Sequence, residues 1–229
     1  MTTLIRTVLL TGGLMLATNG GAAVAQSAAP GASGSAAAGG PLMTLQMPVL
    51  PKPVPVVLKP ATTAVFVSDM IDPTCKNQPK CMGTMVPAIA SLLARARMAG
   101  VSVVYSTQAE RSSNWLPQVA PAPGDPFFAS HGQDRFYESD LDKTLKAKGI
   151  TTVVLTGWKI SGSVLYTSIG ATLRGYTVVV PEDASLAAAD YEDAIGVYQI
   201  LNQGSANARN EPLKPKASTL SRSDMITFQ

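Results

Sequence analysis

Four polar runs, each directly after an apolar stretch, contain the side chains best suited to chemistry. They are Ser68-Asp69, Ser106-Thr107-Gln108, Thr156-Gly157-Trp158-Lys159 and Pro181-Glu182-Asp183. If the apolar stretches are strands of one parallel sheet, the runs lie together at the carboxyl edge, where ligands bind in such sheets. Asp69, Lys159 and Ser163 would then meet on one rim. We therefore expect a site for a small molecule at this edge.

Gly162 and Ser163 stand where the loop after the third predicted strand enters a helix. Backbone amides at a helix start point outward and carry the positive end of the helix dipole. Such a position suits an oxyanion or the carboxylate of a substrate. Every α/β protein has several helix starts, so this feature is informative only together with Asp69 and Lys159.

The elements that would position these residues alternate between strand and helix. Strands are predicted at 64–68, 101–105, 152–155 and 177–180, all short and rich in apolar or β-branched residues. Helices are predicted at 86–100, 139–149, 163–174 and 187–201 from apolar spacing, Ser139 as a cap and glycine stops. Strands that are apolar on both faces and separated by helices indicate a parallel sheet covered on both sides. The predicted fold is a three-layer α/β/α domain with a mostly parallel, Rossmann-like central sheet.

The N-terminal 60 residues are predicted to lie outside this domain. Residues 1–25 have a basic start at Arg6, an apolar run and the small-x-small sequence Ala23-Val24-Ala25, as in a cleaved export signal. Residues 26–60 begin with Ala, Gly, Ser and Pro and continue into a proline-rich stretch, a composition typical of a disordered tether. We therefore expect cleavage between Ala25 and Gln26, a periplasmic or secreted product, and a domain over residues 61–229.

Charge and hydropathy limit the class of partner. The net charge of +3 falls to +2 when residues 1–25, which contain one base, are removed. A near-neutral chain without a basic run argues against a nucleic-acid partner. No apolar stretch reaches the ~18 residues of a membrane-spanning helix, so we expect no span in the mature chain. The predicted partner is a small-molecule substrate or ligand, and a homo-oligomer is left open.

Cys75 and Cys81, the two cysteines of the chain, follow Asp69 closely. In an exported protein such a pair favours a disulfide over a free redox couple. The bond would close a short loop, and would therefore shape the rim beside Asp69 more than it stabilises the fold. Because the chain has one histidine, His131, we predict no metal site. The chain has no nucleotide-binding glycine loop, and we predict no cofactor.

Five segments, in order, resemble blocks of the isochorismatase-like cysteine hydrolases. They are residues 63–70, 134–141, 149–157, 162–167 and 174–183. The resemblance implies the isochorismatase-like fold and an activity on small amides or related compounds. In that family a Cys at a helix start attacks a carbonyl, an Asp after the first strand takes and returns its proton, and a Lys completes the catalytic set.

The resemblance assigns roles to three residues, with two departures from the family. Asp69 matches the family Asp. The Lys position falls on Arg135, which keeps the charge but does not readily lose a proton, so its role would be electrostatic. The nucleophile position falls on Ser163, whose alcohol is far harder to deprotonate than a thiol. The residues expected to contact the substrate are Gly162, Trp158, Lys159 and Phe136.

Two functions are compatible with these residues. The first is an exported hydrolase of a small amide, ester or related substrate, with Ser163 or an activated water as nucleophile. The second is a non-catalytic protein of the same fold that binds a small molecule and has lost the nucleophilic Cys. A Ser163–His131–Asp69 relay is one arrangement that the residues allow. The simpler alternatives are a helix cap at Ser163 and a solvated loop residue at His131.

The export signal predicts the mass of the mature protein. Material recovered from the periplasm or medium should begin at Gln26, because signal peptidase cleaves after small-x-small sequences. Its intact mass should rise by two hydrogens on reduction of the Cys75–Cys81 bond. Retention of residues 1–25, or two thiols that alkylate without a reductant, would contradict this prediction.

Overall fold

The computed structural model describes residue 44 and residues 46–108, 114–203 and 206–229. The predicted export signal and most of the predicted tether lie outside the described residues. The compact unit Met47–Gln229 contains every helix and strand given below. No helix in the described ranges is both long and apolar enough to cross a membrane.

The described residues form eight strands and five α-helices. The strands are β1 (Val56–Leu58), β2 (Thr63–Ser68), β3 (Ser102–Gln108), β4 (Phe127–Ser130), β5 (Thr152–Gly157), β6 (Thr177–Pro181), β7 (Ser218–Ser221) and β8 (Ile226–Phe228). The helices are α1 (Asp72–Cys75), α2 (Val86–Met98), α3 (Leu141–Ala147), α4 (Leu165–Leu173) and α5 (Asp190–Asn202). Wide helical turns at Cys81–Met85 and Ile160–Val164 lead into α2 and α4.

The central sheet of the described part has six strands in the order β4-β3-β2-β5-β6-β7, and all its neighbours are parallel. The predicted α/β class with a parallel sheet is therefore confirmed. From β2 the sheet continues through β3 to β4, and from β5 it continues in the opposite direction through β6 to β7. The boundary between β2 and β5 is thus the topological switch point, where open α/β sheets bind ligands. Asp69 follows β2 directly at this point.

Alternate residues of β2 enter two separate cores, one on each face of the sheet. Val65 and Val67 pack in the same core as Ile89 and Leu92 of α2. Ala64 and Phe66 pack in the other core, whose helical residues include Leu141, Leu165 and Val197 of α3, α4 and α5. Because successive strand residues point to opposite faces, a strand buried on both sides reads as continuously apolar. The sheet is therefore covered on both faces, as predicted.

The folded domain begins upstream of the predicted boundary at residue 61. β1, which lies in the predicted tether, pairs in parallel with β8 at the C-terminal end of the chain. The Val54 amide also donates to the Leu220 carbonyl at 3.1 Å. The prolines around this segment indicate an extended chain, but they do not prevent a short strand from pairing at an edge.

Two predicted helix starts are corrected by the structure. The helix expected from 163 is α-helical from Leu165, and the wide helical turn Ile160–Val164, which is broken at Gly162 with φ −128° and ψ −115°, leads into it. The helix expected from 187 begins at Asp190, after an extended Ala189. Ser163 therefore lies in the turn that enters α4 rather than in the helix itself.

Gly157 allows β5 to end very close to β2. Its φ is +115°, and a Cβ at this position would lie 2.0 Å from the Ser68 carbonyl oxygen. The next amide, that of Trp158, donates to the same carbonyl at 3.0 Å. A side chain at 157 would therefore push apart the two strands that support Asp69.

We expect Gly157→Ala to destabilise the domain much more than Gly175→Ala. Both glycines have positive φ, but a Cβ at Gly175 would have no atom within 4 Å. Strain alone should cost Gly175→Ala about 1–2 kcal/mol, and the clash should add about 1–3 kcal/mol in Gly157→Ala. Urea unfolding of the two variants measures the difference, and equal losses of stability would refute the proposed close contact.

Candidate active site

Asp69 is held in place through both its backbone and its carboxylate. It is 5% exposed and has a left-handed backbone, with φ +54°, which Asp tolerates better than most residues. Its amide donates to the Ser106 carbonyl at 3.0 Å, and its own carbonyl accepts from the Thr74 hydroxyl. Oδ1 accepts from Thr107 Oγ1 at 2.9 Å. These bonds aim the carboxylate at the rim above the switch point.

Arg135 is a buried cation that binds this carboxylate. It is 1% exposed and lies in the segment between β4 and α3. Its Nη2 donates to Asp69 Oδ2, its Nε to Ser68 Oγ at 3.3 Å and its Nη1 to the Gly132 carbonyl at 3.0 Å. The guanidinium keeps its charge at all relevant pH values, so Asp69 faces a permanent positive charge.

Ser163 lies on the β5 side of the switch point, close to Asp69 on the β2 side. It is 2% exposed, and its Oγ donates to the Trp158 carbonyl at 2.8 Å. Ser68 Oγ lies 3.2 Å from Ser163 Oγ and also 3.2 Å from Asp69 Oδ2. One hydroxyl therefore separates Ser163 from the carboxylate. The structure thus brings together Asp69, Arg135 and Ser163, the three residues to which the resemblance assigned roles.

A cavity of about 110 Å³ opens over these groups. Its lining residues are Asp69, Thr74, Gln108, Gln133, Arg135, Trp158, Lys159 and Ser163. Trp158 and Lys159, which are joined by a cis peptide bond, line it as the sequence led us to expect. Gly162 is not among the lining residues, but a Cβ there would lie 3.1 Å from Oε1 of Gln133, which is one of them. The lining offers amide, ammonium and hydroxyl groups to a polar ligand.

Lys159 is tied to helix α5. Its Nζ bonds to Glu192 Oε1, which also accepts from Ser161 Oγ at 3.1 Å. The Lys159 hydrogen bond holds the pKa of Glu192 below its usual range, so this carboxylate is ionised at neutral pH. The lysine side chain remains 35% exposed. It can therefore contact a ligand in the cavity while α5 holds it in position.

Phe136 does not line the cavity and is removed from the expected set of substrate contacts. Its ring stacks on Tyr176 at a centroid distance of 5.7 Å, and the Arg174 guanidinium lies 4.8 Å from the ring centre. It belongs to the core under α3, α4 and α5. The backbone turns after Arg135, so adjacent side chains point to opposite sides: Arg135 to the site and Phe136 to the core.

His131 is also outside the lining of the cavity. Its side chain is exposed, and the contacts of the Ser163 hydroxyl described above are to Trp158 and Ser68. These contacts do not support the Ser163–His131–Asp69 relay. Among the described residues, no three His, Cys, Asp or Glu side chains are grouped as a metal ion would require.

Sequence reasoning assigned no role to several residues that the structure places at the site. Ser68 and Thr107 stand in the polar runs at the strand ends, and Thr74, Gln108 and Gln133 line the cavity. The position of Ser68 and Thr107 at the ends of two neighbouring strands was the available signal. Gln133 lies in a loop whose path the sequence does not specify, and Thr74 lies in α1, a helix of four residues that was not predicted.

The predicted disulfide between Cys75 and Cys81 is present, with a Cα–Cα distance of 5.5 Å. It joins α1 to the turn that precedes α2. Thr74, which binds the Asp69 carbonyl, is the residue before Cys75. Lys80, the residue before Cys81, binds Asp193 of α5 at 2.7 Å. The bond therefore shapes the loop beside Asp69, as expected for a short closed ring.

Loss of the buried cation should be far more costly than loss of an exposed one. Arg135→Met should lower the free energy of unfolding by about 3–5 kcal/mol, because it leaves the Asp69 carboxylate buried without its partner. The matched control is Lys146→Met, which removes a half-exposed partner of Asp142 and should cost at most about 1 kcal/mol. Urea unfolding at pH 7 compares them. A cost for Arg135→Met as small as that of the control would show that the pair does not support the fold.

Residues 63–206 match the family model described as the Isochorismatase domain. An uncharacterized isochorismatase family protein of Bacillus subtilis is 26% identical over 93 residues, covering 41% of this chain and 51% of that protein. Ureidoacrylate amidohydrolase RutB of Methylobacterium radiotolerans is 26% identical over 186 residues, covering 60% and 72%. The secreted isochorismatase effector Isc1 of Verticillium dahliae is 27% identical over 109 residues, covering 43% and 57%. The chain thus spans only about half of the Bacillus and Verticillium proteins.

Solved structures show the same fold. N-carbamoylsarcosine amidase of Thermoplasma acidophilum superposes with a TM-score of 0.58 at 24% identity, covering 71% of this chain and 97% of the amidase. A cysteine hydrolase of Pseudomonas syringae superposes with a TM-score of 0.61 at 18% identity, covering 79% and 95%. The family match covers more than half of the sequence, and the parallel sheet agrees with it. The chain therefore belongs to the isochorismatase family.

Proposed function

We propose that this protein is an exported hydrolase of a small amide, ester or related acyl compound, with Ser163 as its nucleophile. One observation carries the proposal: Ser68 Oγ links Ser163 Oγ to the Asp69 carboxylate by hydrogen bonds. This arrangement lies beside the buried Arg135 and under a polar cavity. A nucleophile, a base and a fixed positive charge within reach of one another are what acyl transfer requires.

The proposed reaction follows from the placement of these groups. The substrate carbonyl enters the cavity over Ser163, and Gln108, Gln133 and Lys159 hold its polar atoms. Ser163 Oγ bonds to the carbonyl carbon while its proton passes towards Asp69, and the backbone amide of Ser163 stabilises the oxyanion. The Gly162 amide is not assigned this role, because it donates to the Lys159 carbonyl at 3.0 Å. The protonated Asp69 then returns the proton to the leaving amine or alcohol. Water cleaves the acyl-enzyme by the same route in reverse.

The names of two similar proteins favour an amide as the substrate. One relative is a ureidoacrylate amidohydrolase and one structural neighbour is an N-carbamoylsarcosine amidase. Export is supported by the N-terminal signal pattern, by the disulfide and by a relative described as secreted.

The second candidate, a protein that binds its ligand without turnover, is favoured by one observation. The Asp69 carboxylate is already engaged by Arg135, Thr107 and Ser68. These three bonds occupy both carboxylate oxygens, one of which would have to accept the proton of Ser163. The same groups would still bind a polar ligand.

Turnover of a panel of small amides, ureido compounds and esters by the purified exported protein distinguishes the two candidates. Ser163→Ala and Asp69→Asn should each lower kcat at least about 100-fold, because each removes a group that takes part in proton transfer or bond formation. Ser168→Ala is the control, since this buried hydroxyl of α4 contacts Ser218 at 2.7 Å and not the site. Calorimetric binding of a panel member without turnover would favour the binding protein, and turnover that survives Ser163→Ala would refute Ser163 as nucleophile.

A further inference from the structure

Ser68 is a buried hydroxyl at the end of β2 that contacts every charged or nucleophilic member of the proposed catalytic set. It is 1% exposed. Its Oγ lies 3.2 Å from Ser163 Oγ, 3.2 Å from Asp69 Oδ2 and 3.3 Å from Arg135 Nε. A hydroxyl has one hydrogen to donate and two lone pairs that accept. These neighbours match that capacity: Arg135 can only donate, ionised Asp69 can only accept, and Ser163 can do either.

We propose that Ser68 is a catalytic residue that relays the proton between Ser163 and Asp69. In the resting arrangement the Ser163 hydrogen points to the Trp158 carbonyl at 2.8 Å. Rotation of that hydroxyl turns its hydrogen to Ser68 Oγ, while Ser68 donates its own hydrogen to Asp69 Oδ2. No heavy atom has to move. The inference rests on the proposed hydrolase function, to which it adds the path of the proton.

The proton transfers balance at each step. As Ser163 Oγ forms its bond to the carbonyl carbon, its proton passes to Ser68 Oγ and the Ser68 proton passes to Asp69 Oδ2. The electron pair of the carbonyl π bond moves to the carbonyl oxygen, which becomes the oxyanion. When the oxyanion re-forms the carbonyl, the bond to the leaving group breaks and protonated Asp69, which lines the cavity, gives its proton directly to the leaving amine or alcohol. Ser163 Oγ is acylated at this stage and carries no proton. Arg135 donates to both Ser68 and Asp69, and so holds the two oxygens in line throughout.

Arg135 cannot itself carry this proton. A guanidinium is a permanent donor, so it positions the relay without taking part in it. Thr107, which donates to the other carboxylate oxygen, lies on the side of Asp69 away from Oδ2. Among the described contacts of Asp69, Ser68 is the one whose hydroxyl also contacts Ser163.

A titration that needs no substrate tests the link between Ser68 and position 163. Ser163→Cys introduces a thiol beside Ser68 and Arg135, and the disulfide keeps Cys75 and Cys81 silent towards alkylation. A hydrogen bond from Ser68 stabilises the thiolate. Adding Ser68→Ala should therefore raise the pKa of the introduced thiol by about 1–2, the effect of losing one hydrogen bond to a charged group. The alkylation rate of the full chain as a function of pH reports this pKa.

Ser106→Ala provides the matched control. Ser106 is the register partner of Ser68 on β3 and is equally buried, but its hydroxyl donates to the Phe128 carbonyl at 2.6 Å. In the Ser163→Cys background it should leave the thiol pKa unchanged. Urea midpoints of all variants show whether the substitutions disturb the fold itself.

Kinetics of the protein with Ser163 intact test the relay. Ser68→Ala should lower kcat about 100-fold with KM nearly unchanged, since Ser68 does not line the cavity. An unchanged thiol pKa, or an unchanged kcat, would overturn the relay. Absence of any turnover in the unmodified protein would defeat the hydrolase function, and a shifted thiol pKa would then show that Ser68 is coupled to position 163 in a binding site.

Discussion

A carboxylate and a guanidinium that are removed from water lose most of their hydration, at a cost of several kcal/mol for each ion. Asp69 and Arg135 are both almost completely buried, so each must be compensated by the other and by neutral donors and acceptors. The compensation comes from every element around the pair: Thr107 on β3, Ser68 on β2 and the Gly132 carbonyl. A shift of any of these elements would remove a hydrogen bond from one of the two buried charges. The ion pair thus fixes the geometry of the whole site.

The same requirement explains how distant parts of the chain are held together at the rim. The Arg135 amide donates to Thr167 Oγ1 on α4 at 3.1 Å, which ties the segment before α3 to the helix that follows Ser163. On the other side, Lys159 and Lys80 are bound by acidic residues at the start of α5. Ser163 and the loop closed by the disulfide are therefore linked to the same helix. The rim is made from loops, but each loop is bonded to a regular element.

The sequence predicted the parts of the fold that depend on burial of apolar strands. β2, β3, β5 and β6 were visible because apolar or β-branched side chains fill both of their faces, and their order placed Asp69 and Ser163 on one rim. β7 was missed because Ser218–Ser221 contains mainly hydroxyl residues. Its burial depends on partners distant in the sequence, such as Ser168 and the Val54 carbonyl. β1 was missed for a similar reason, since its partner β8 lies at the opposite end of the chain.

The direction of individual side chains was harder to predict than the strands that carry them. Phe136 was assigned to the substrate as an aromatic residue near the rim, and the turn sends it to the core instead. Ser68 stood in one of the polar runs but was given no role, because a serine at the end of an apolar strand is most simply a small buried residue. Its role became visible only when the distances to Ser163, Asp69 and Arg135 were known. The sequence thus predicts which residues lie at the strand ends. It does not predict which other side chains they contact, because those contacts depend on the paths of the loops.

The serine at 163 and the serine at 68 are best understood together. A thiol with a pKa near 8.5 can exist as a thiolate when a nearby cation and helix start stabilise it, and it then needs no proton acceptor at the moment of attack. An alcohol gains too little from such stabilisation, so it must lose its proton as the new bond forms. Asp69 is turned towards Arg135, and the hydroxyl that bridges it to Ser163 is that of Ser68. In the proposed hydrolase, the Ser68 hydroxyl at the end of β2 lies between the Asp69 carboxylate and Ser163, where this proton transfer needs it.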